Sequence, residues 1–364
     1  MDEQLASMIG SRVRAARAAN RQTQVLVAGL TGITTDYLYQ IERGKKLPTI
    51  PVLVQLARIL DVPLSSLLDP ASTPTRPPIR ADVGQSLHRA LTHPVTTKSL
   101  LPVTELHNQV IQAWQTWQTS PNRYSRLSAE LPALIGQVAG AEEAHRAEGE
   151  HAERRATRQC AVDLYGLLRT VSKRMGRLDL ALLVADRGMR AAEAADDPLR
   201  LAAARWNLAH VLLAEDEVEG AELVAMQAAD AIRPLVKAAN LDATGLYGAL
   251  VLLGAVASVR QGAVWTARER VQEVAPLAER TGERNIFWTA FGPTNVAMYA
   301  VSIEVEAGES GEALRLAERV GYEQSPSIER RVAFLLEQAT GHEQRRDYAS
   351  TLLLLQTASR EAPE

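Results

Sequence analysis

Apolar residues recur every three to four positions through most of this chain, which is the spacing of one face of an α-helix. From residue 84 onward the sequence is rich in Ala, Leu, Arg and Glu. Between Asp69 and Val83, by contrast, four prolines and several small polar residues interrupt the periodicity. We therefore predict an all-α chain with a helical segment at 1–69, a Pro-rich linker at 70–83 and a larger helical domain at 84–364.

Residues 22–44 have the pattern of two short helices joined by a tight turn. Thr23 can cap the first helix, which begins at the next residue. Gly32 can then adopt the left-handed backbone conformation that commonly ends a helix. Thr34 is placed to cap the second helix, and Gly44 ends it. Two helices in this arrangement serve to place one of them in a groove of DNA.

These residues resemble the Xre family of helix-turn-helix proteins, which is named for phage repressors and Cro. The resemblance extends over roughly residues 5–68. It implies a five-helix domain, in which the other helices lie at Leu5–Ala19, Thr49–Leu60 and Pro63–Leu68. The matching positions are Gln24, Ala28, Gly32, Tyr37, Leu38, Ile41, Glu42, Arg43 and Gly44.

In that family the second helix of the motif enters the major groove and presents its N-terminal residues to base edges. The resemblance therefore implies base contacts from Thr35, Asp36, Tyr39 and Gln40. Gln40 can pair with adenine, and Asp36 can accept a hydrogen bond from the amino group of cytosine. The alternative interpretation is that Asp36 and Gln40 are solvated helix residues. Phosphate contacts are expected from Gln24, Thr34, Arg43, Lys45 and Lys46.

The N-terminal segment is only weakly basic, because residues 1–70 contain eight Lys and Arg against six Asp and Glu. The whole chain has a net charge of −3, so about −5 falls on the remaining residues. One weakly basic domain is expected to bind DNA weakly. We therefore expect a homodimer that reads double-stranded DNA at a near-palindrome, with half-sites ~34 Å apart. The larger domain is not expected to bind nucleic acid non-specifically.

Five places in the larger domain share one pattern, in which a turn residue is followed five positions later by a small residue. One helix ends at the turn, and the next crosses it so closely that a small residue is needed there. Each unit is interpreted as a helical hairpin, and stacked hairpins share a continuous core. The segments GRLDLA and GAVWTA resemble the turn of tetratricopeptide repeats, which implies a tetratricopeptide-like helical-hairpin solenoid. The five pairs are Gly176 and Ala181, Asp216 and Ala221, Gly262 and Ala267, Gly308 and Ala313, and Arg346 and Thr351.

Residues 84–155 show the hairpin pattern less clearly than the rest of the larger domain. A helix is expected around the two tryptophans Trp114 and Trp117, and a longer charged helix over Leu131–Gln159. The single cysteine, Cys160, excludes an internal disulfide framework and is interpreted as a small packed residue. The chain starts without a basic-then-apolar signal sequence, and no apolar run of membrane-spanning length is recognised. We therefore expect a cytoplasmic protein without a membrane partner.

A solenoid of this kind has a concave inner surface that can bind a peptide or a small molecule. In tetratricopeptide domains an asparagine at the position of Asn207 often bonds the backbone of a ligand peptide. The alternative is that Asn207 and His210 cap neighbouring carbonyl groups or face water. Other aromatic residues, among them Trp265, are expected to be core or partly buried. Aligning the turns predicts the inner-surface residues Asp163, Thr170, Trp206, Asn207, His210, Met298, Tyr299, Ser302 and Glu337.

The sequence contains no recognisable catalytic or cofactor motif. His145 and His151 lie six positions apart, so they do not share the face that two zinc ligands on one helix require. HExxH, P-loop, nucleophile-elbow and glycine-rich dinucleotide motifs are all missing from the sequence. We therefore expect neither an enzyme nor a bound cofactor.

Two functions remain open from the sequence. In the first, the protein is a transcriptional regulator whose solenoid binds an effector, either a peptide or a small molecule, that modulates DNA binding. This layout is similar to that of peptide-sensing regulators of the Rgg and PlcR type. In the second, the solenoid holds a protein partner without any effector, and the N-terminal domain tethers the complex to DNA. Ligand-dependent affinity for DNA distinguishes the two.

Overall fold

The structure is a computed structural model that describes residues 2–20, 22–68, 79–94, 99–147 and 151–364. Within these ranges the regular secondary structure is helical, and the all-α prediction is confirmed. The chain forms an N-terminal group of five helices and a larger array of helical hairpins. The N-terminal helices are α1 (Asp2–Ala19), α2 (Gln24–Thr31), α3 (Thr35–Glu42), α4 (Ile50–Ile59) and α5 (Leu64–Leu68).

The turn between α2 and α3 has the predicted caps. The hydroxyl of Thr23 accepts a hydrogen bond from the backbone amide of Leu26 at 3.2 Å, and that of Thr34 accepts one from the amide of Tyr37 at 3.1 Å. Gly32 has φ 72° and ends α2 in the left-handed conformation. These local hydrogen bonds fix where both helices begin and therefore how α3 is presented.

A buried ion pair holds α1, α2 and α3 together. Arg17 of α1 donates to both carboxylate oxygens of Glu42 in α3, at 2.6 and 2.9 Å. Gln24 of α2 donates to the same carboxylate at 2.7 Å. Close packing continues just beyond α3, where a Cβ on Gly44 would lie 2.5 Å from the Cα of Ser7. The orientation of α3 is thus set by contacts from both of the preceding helices.

The array of hairpins begins with three helices that were only partly predicted. They are α6 (Ile79–Thr92), α7 (Val103–Thr119) and α8 (Arg123–Ala147). The predicted linker is too long at its C-terminal end, because α6 already begins at Ile79 and packs Val83, Leu87 and Leu91 into the core. The proline-rich part of that linker, residues 69–78, lies outside the described residues.

The single helix predicted over Leu131–Gln159 is wrong. Helix α8 ends at Ala147, and α9 begins at His151. The two helices pack against each other, with Nδ1 of His145 2.9 Å from the hydroxyl of Thr157, so the chain reverses direction between them. A continuous helix would place these two residues far apart along its axis.

Five hairpins follow, and each has its predicted turn. The five turn residues have φ between 60° and 80°, including the non-glycine residues Asp216 and Arg346. The fold prediction of stacked helical hairpins is confirmed. The pairs are α9 (His151–Arg174) with α10 (Leu178–Ala194), α11 (Pro198–Ala214) with α12 (Val218–Lys237), α13 (Leu241–Arg260) with α14 (Val264–Thr281), α15 (Pro293–Glu306) with α16 (Ser310–Ala317), and α17 (Ile328–Gln344) with α18 (Tyr348–Glu361).

The small residue five positions after each turn is fully buried between its two helices. Ala181, Ala221, Ala267, Ala313 and Thr351 are at most 1% exposed. A larger side chain at these positions would push the helices of the hairpin apart, which accounts for the pattern seen in the sequence.

Two expectations about apolar residues are wrong. Helix α13 is long and apolar enough to cross a membrane by length and composition, although no such segment was expected, and 89% of its apolar window is buried. It is buried among its neighbours as a core helix of the array. Trp265 is not core or partly buried, because it is 76% exposed at the start of α14. The guanidinium of Arg268 lies 5.4 Å from its ring centroid.

The first and last hairpins of the array meet. Glu329 of α17 accepts hydrogen bonds from Trp117 of α7 at 3.0 Å and from Arg174 of α9 at 2.5 Å. The side chain of Glu364 accepts bonds from the backbone amides of Tyr124 and Ser125, at the start of α8, at 3.0 and 3.1 Å. The two ends of the array therefore contact each other, and a partly open inner cavity lies between its inner helices.

The N-terminal helices pack on the last helix of the array. Leu352 of α18 is fully buried in the same hydrophobic cluster as the core of α1 to α5. Gln356, also on α18, donates a hydrogen bond of 2.8 Å to the backbone carbonyl of Leu68 at the end of α5. The N-terminal helices are thus attached to the same hairpin that contacts the start of the array.

We predict that Ala267→Leu lowers the free energy of unfolding by about 1–3 kcal/mol, because the added atoms have no space where α13 and α14 cross. Thr266→Leu is the matched control, since residue 266 is exposed on the same helix, and its effect should stay within about 0.5 kcal/mol. Both values can be measured by urea denaturation. Equal stability of the two variants would contradict the close crossing of the helices.

Candidate DNA-binding surface and inner cavity

Helix α3 separates its core residues from an outward-facing polar surface. Leu38 and Ile41 are fully buried against α1 and α4. Thr35 and Asp36 are exposed at the start of the helix, and Tyr39 is 41% exposed one turn later. The residues predicted to read bases therefore lie together on one accessible face.

Gln40 and Asp36 contact each other on this face. The amide nitrogen of Gln40 donates a hydrogen bond of 2.6 Å to the Asp36 carboxylate. This bond orients the Gln40 amide, so its oxygen and its second N–H stay available for a base edge. Asp36 thus positions Gln40 in addition to being accessible itself.

A cleft of about 440 Å³ lies beside α3 and carries more basic than acidic groups. Arg43 lies at one side of it, with its guanidinium 5.5 Å from the ring centroid of Tyr39. Arg14 of α1 also lines the cleft and is exposed, but it was not predicted as a DNA contact because it lies outside the two-helix motif. Gln24 lines the cleft, but its amide nitrogen is engaged by Glu42.

The other predicted phosphate contacts flank α3. Thr34 caps α3 through its oxygen, which leaves the hydroxyl hydrogen free to donate. Lys45 and Lys46 are exposed immediately after the helix, and the ammonium group of Lys46 lies 5.8 Å from the ring centroid of Tyr37. A hydroxyl group at the start of α3 and two cations after its end are groups that can contact DNA phosphates.

The inner cavity of the hairpin array has two connected compartments, of about 550 and 110 Å³. The larger compartment lies between α11, α13, α15 and α17, and the smaller one is bounded by α7, α9 and the segment around Trp288. The residues that line both compartments are Lys173, Arg174, His210, Tyr299, Arg330 and Ala333.

Six of the nine predicted inner-surface residues line this cavity. The smaller compartment contains Thr170 and Trp206, the larger one contains Ser302 and Glu337, and two others border both. Those two are His210 and Tyr299. Their roles toward a ligand remain predictions.

The other three predicted residues lie elsewhere, because the inner helices are buried on more than one side. The Asp163 carboxylate binds His107 at 3.1 Å and Arg200 at 3.0 Å and lies away from the cavity lining. Met298 is fully buried in a hydrophobic cluster with Val301 and Phe334. Neither residue is a cavity residue, which corrects the prediction.

Asn207 also departs from its predicted role. Its side-chain oxygen accepts hydrogen bonds from the guanidinium of Arg169, including one of 2.8 Å from Nε. The acceptor that would bond a ligand backbone is therefore already engaged. The alternative interpretation, in which Asn207 caps a neighbouring carbonyl group or faces water, does not describe this bond either, because the partner is a guanidinium group.

The basic residues of the cavity wall are not evident from the sequence pattern. Three of the cations pair with acids: Arg174 with Glu329, Arg330 with Glu337, and Arg260 with Glu306. Two further cations, Arg169 and Lys173, have no carboxylate partner among the described residues. The wall therefore carries an excess of positive charge.

The closely spaced cations, together with burial, lower the pKa values of Lys173 and His210. Burial, together with the charges of Arg169 and Arg174, lowers the pKa of Lys173 to about 7. Burial together with Lys173 and Arg169 also holds the pKa of His210 well below its usual range, so its imidazole is neutral at pH 7. The cavity is an environment in which adding a negative charge is favourable.

Cys160 has no sign of reactivity. It is fully buried on α9, and this burial, with the nearby charge of Asp163, raises the pKa of its thiol to about 12. A thiol with such a pKa is not a thiolate at neutral pH, so the prediction of a packed structural cysteine agrees with its environment.

Comparison with known proteins identifies the N-terminal segment. Residues 9–68 match the model of a helix-turn-helix domain. No curated protein matches the chain.

Three solved structures match this chain at low identity. PlcR from Bacillus thuringiensis, in complex with the peptide PapR7 and DNA, is 13% identical over 76% of this chain and 100% of its own, with a TM-score of 0.28. Aspartyl phosphate phosphatase F from Bacillus subtilis is 11% identical over 99% of this chain and 94% of its own, with a TM-score of 0.47. The apo form of ComR from S. thermophilus is 12% identical over 95% of this chain and 99% of its own, with a TM-score of 0.23.

All three TM-scores lie below 0.5. The match of the N-terminal residues to a family model is independent of them. Residues 9–68 are a helix-turn-helix domain, in which α3 is the second helix of the motif.

Proposed function

We propose that the protein is a sequence-specific, dimeric transcriptional regulator of the cytoplasm, and that an effector bound in its inner cavity changes its affinity for DNA. The observation that carries this proposal is the shared hairpin of α17 and α18. Helix α17 supplies Glu329, Arg330 and Glu337 to the cavity, and α18 packs Leu352 into the core of the helix-turn-helix domain.

The accessible face of α3 supports sequence-specific binding. Gln40 can make two hydrogen bonds to adenine while Asp36 holds its orientation. Arg14, Arg43 and Lys46 supply positive charge beside the same face and would neutralise phosphates. The domain is only weakly basic, so two copies on a near-palindrome would together supply the affinity that one lacks.

The hairpin of α17 and α18 supports coupling between the two sites. An effector that contacts α17 would favour one position of that helix over others. Because α18 is packed on α17, the helix-turn-helix domain would be carried to a corresponding position. A ligand shifts DNA affinity only if it binds the DNA-competent and incompetent forms differently, and this hairpin gives it a means to do so.

The test of the proposal is selection of bound sequences from a random DNA pool with the full-length protein. A two-fold motif with half-sites about ten base pairs apart is expected for a dimeric regulator. The selected operator then serves to measure affinity with and without candidate effectors. An operator affinity that no effector changes, together with capture of a protein partner, would favour a DNA-tethered scaffold.

We predict that Gln40→Ala relaxes discrimination at one or two base pairs and costs about 1–3 kcal/mol at the preferred operator, because the paired contact to a base edge is lost. Repeating the selection with the variant should show an enriched motif that is degenerate at those positions only. An unchanged motif would refute the proposed docking of α3.

Lys46→Ala should weaken binding to all sequences alike and reduce the salt slope by about one, since it removes one phosphate contact. Lys237→Ala is the matched control, because Lys237 is an exposed lysine on α12 in the hairpin array. Affinities are compared by fluorescence anisotropy at several salt concentrations. A salt slope equal to that of the control would place Lys46 away from the DNA.

The coupling predicts that operator DNA changes hydrogen exchange in α17, although DNA contacts only residues 9–68. Gln356→Leu removes the hydrogen bond to Leu68 and should confine the DNA-induced change to those N-terminal residues. Thr357→Val is the control, since Thr357 bonds only within α18. Identical exchange of α17 with and without operator in the unmodified protein would show that the two sites are independent.

A further inference from the structure

Three hydrogen-bond donors of the inner cavity have no partner among the described residues. Nε1 of Trp206 and Nη2 of Arg330 are buried without an acceptor. The ammonium group of Lys173 forms neither a hydrogen bond nor an ion pair with any described residue. Trp206 is only 9% exposed, so its unpaired N–H is costly unless something enters the cavity to accept from it.

These donors are held rigidly. Arg330 donates through Nε to the side-chain oxygen of Asn295 at 2.8 Å, and its guanidinium lies 4.4 Å from the ring centroid of Tyr299. Trp206 is packed edge-on against His210, with ring centroids 4.3 Å apart. The remaining donor atoms thus have fixed directions before any ligand arrives, which lowers the entropic cost of binding.

The charge around these donors is not balanced. Each acid of the wall has a basic partner, although the second carboxylate oxygen of Glu337 is buried without a hydrogen bond and burial raises the pKa of this group; Lys173 and the neighbouring Arg169 have no acidic partner among the described residues. Three donors and an excess of positive charge at one place require a ligand group that accepts several hydrogen bonds and is negatively charged. Carboxylates and phosphates are the groups with that chemistry.

The larger compartment next to these donors is mainly aliphatic on one side. Leu213, Leu253, Val256, Val305 and Leu336 line it. Its volume of about 550 Å³ lies within the range of small-molecule sites. A ligand that places its charged group near Lys173 would therefore extend an apolar part across these side chains.

From this juxtaposition we propose that the cavity binds an aliphatic acid, whose carboxylate or phosphate is held by Lys173, Arg330 and Trp206 while its apolar part lies in the larger compartment. The inference rests on the proposed function only in taking this ligand to be the effector. The acidic group can belong to a free organic acid, an alkyl phosphate or the C-terminus of a peptide, and these three sources share the same recognition.

Binding of such an acid depends on the protonation of Lys173. The lysine loses its proton as pH rises through about 7 in the free protein, so affinity for an anion should fall above that pH, by up to about tenfold per pH unit. Below it the lysine is charged and affinity levels off. The charged groups that surround Lys173 are Arg169, Arg174, Arg260 and Glu329.

The experiment is calorimetric titration of the full-length protein with matched probes. Octanoate is compared with octanamide, octyl phosphate with octanol, and acetyl-trileucine with its C-terminal amide. The unmodified protein is compared with Lys173→Met and with the control Lys237→Met, which changes an exposed lysine of α12. Trp206→Phe is a second variant that removes one donor and keeps an aromatic ring, should Lys173→Met fold poorly.

We expect at least one acid to bind at least ~10-fold more tightly than its neutral counterpart, because hydrogen bonds to a charged group are the strong ones. Lys173→Met should abolish that preference, Trp206→Phe should weaken it several-fold, and Lys237→Met should retain it. The preferred acid identifies the source of the acidic group. Equal binding of every acid and its neutral partner, or full binding by Lys173→Met, overturns the inference.

The same probes separate this inference from the proposed function. An acid that binds as expected but leaves operator affinity unchanged supports the site and refutes its role as an effector site. Failure of all acids to bind, in a protein that still selects a two-fold operator, overturns the acid site and leaves the DNA-binding proposal standing.

Discussion

The partly buried carboxylate of Glu329 is the contact that joins the two ends of the hairpin array beside the inner cavity. It joins α17, in the last hairpin, to Trp117 and Arg174, which belong to helices at the start of the array. Burial alone would raise the pKa of Glu329, but the charge of Arg174 and its hydrogen bond lower it to about 2. The carboxylate therefore stays ionised and paired at any physiological pH. Together with the bonds of Glu364 to the start of α8, this contact holds the last hairpin against the first helices of the array.

Contacts with polar and aromatic side chains explain how several cations can line one wall. Burying a charge is unfavourable unless it is paired or otherwise stabilised. Arg169 bonds the oxygen of Asn207 and lies 5.3 Å from the ring centroid of Trp206, while Arg330 stacks on Tyr299. These contacts stabilise the guanidinium groups without neutralising them. The cavity wall consequently stays positively charged and would attract an anion, and its cationic side chains would need to move little on binding.

Local patterns in the sequence predicted the elements, and long-range contacts decided what they enclose. The turn at Gly262 and the small residue Ala267 depend only on neighbouring residues, so both could be read directly. The same holds for the cap at Thr34. The hydrogen bond from Trp117 to Glu329 joins residues 212 positions apart, so the spacing of apolar residues along the chain does not predict it. The prediction that Met298 lies on the inner surface was wrong for a related reason. Its helix is packed against other helices on more than one side, and Met298 is buried in a hydrophobic cluster.

The last hairpin connects these two parts of the molecule. Its helices cross closely at Thr351 of α18, which is fully buried: its hydroxyl donates to the backbone carbonyl of Asp347 at 2.8 Å, and its oxygen lies 3.4 Å from the carbonyl oxygen of Ala339 in α17. Sliding one helix past the other would therefore break a buried contact. A displacement of α17 by a bound ligand is more easily accommodated by moving the hairpin as a unit. Because Leu352 and Gln356 attach the helix-turn-helix domain to α18, such a movement would reposition α3, and in a dimer it would alter the spacing of the two reading helices.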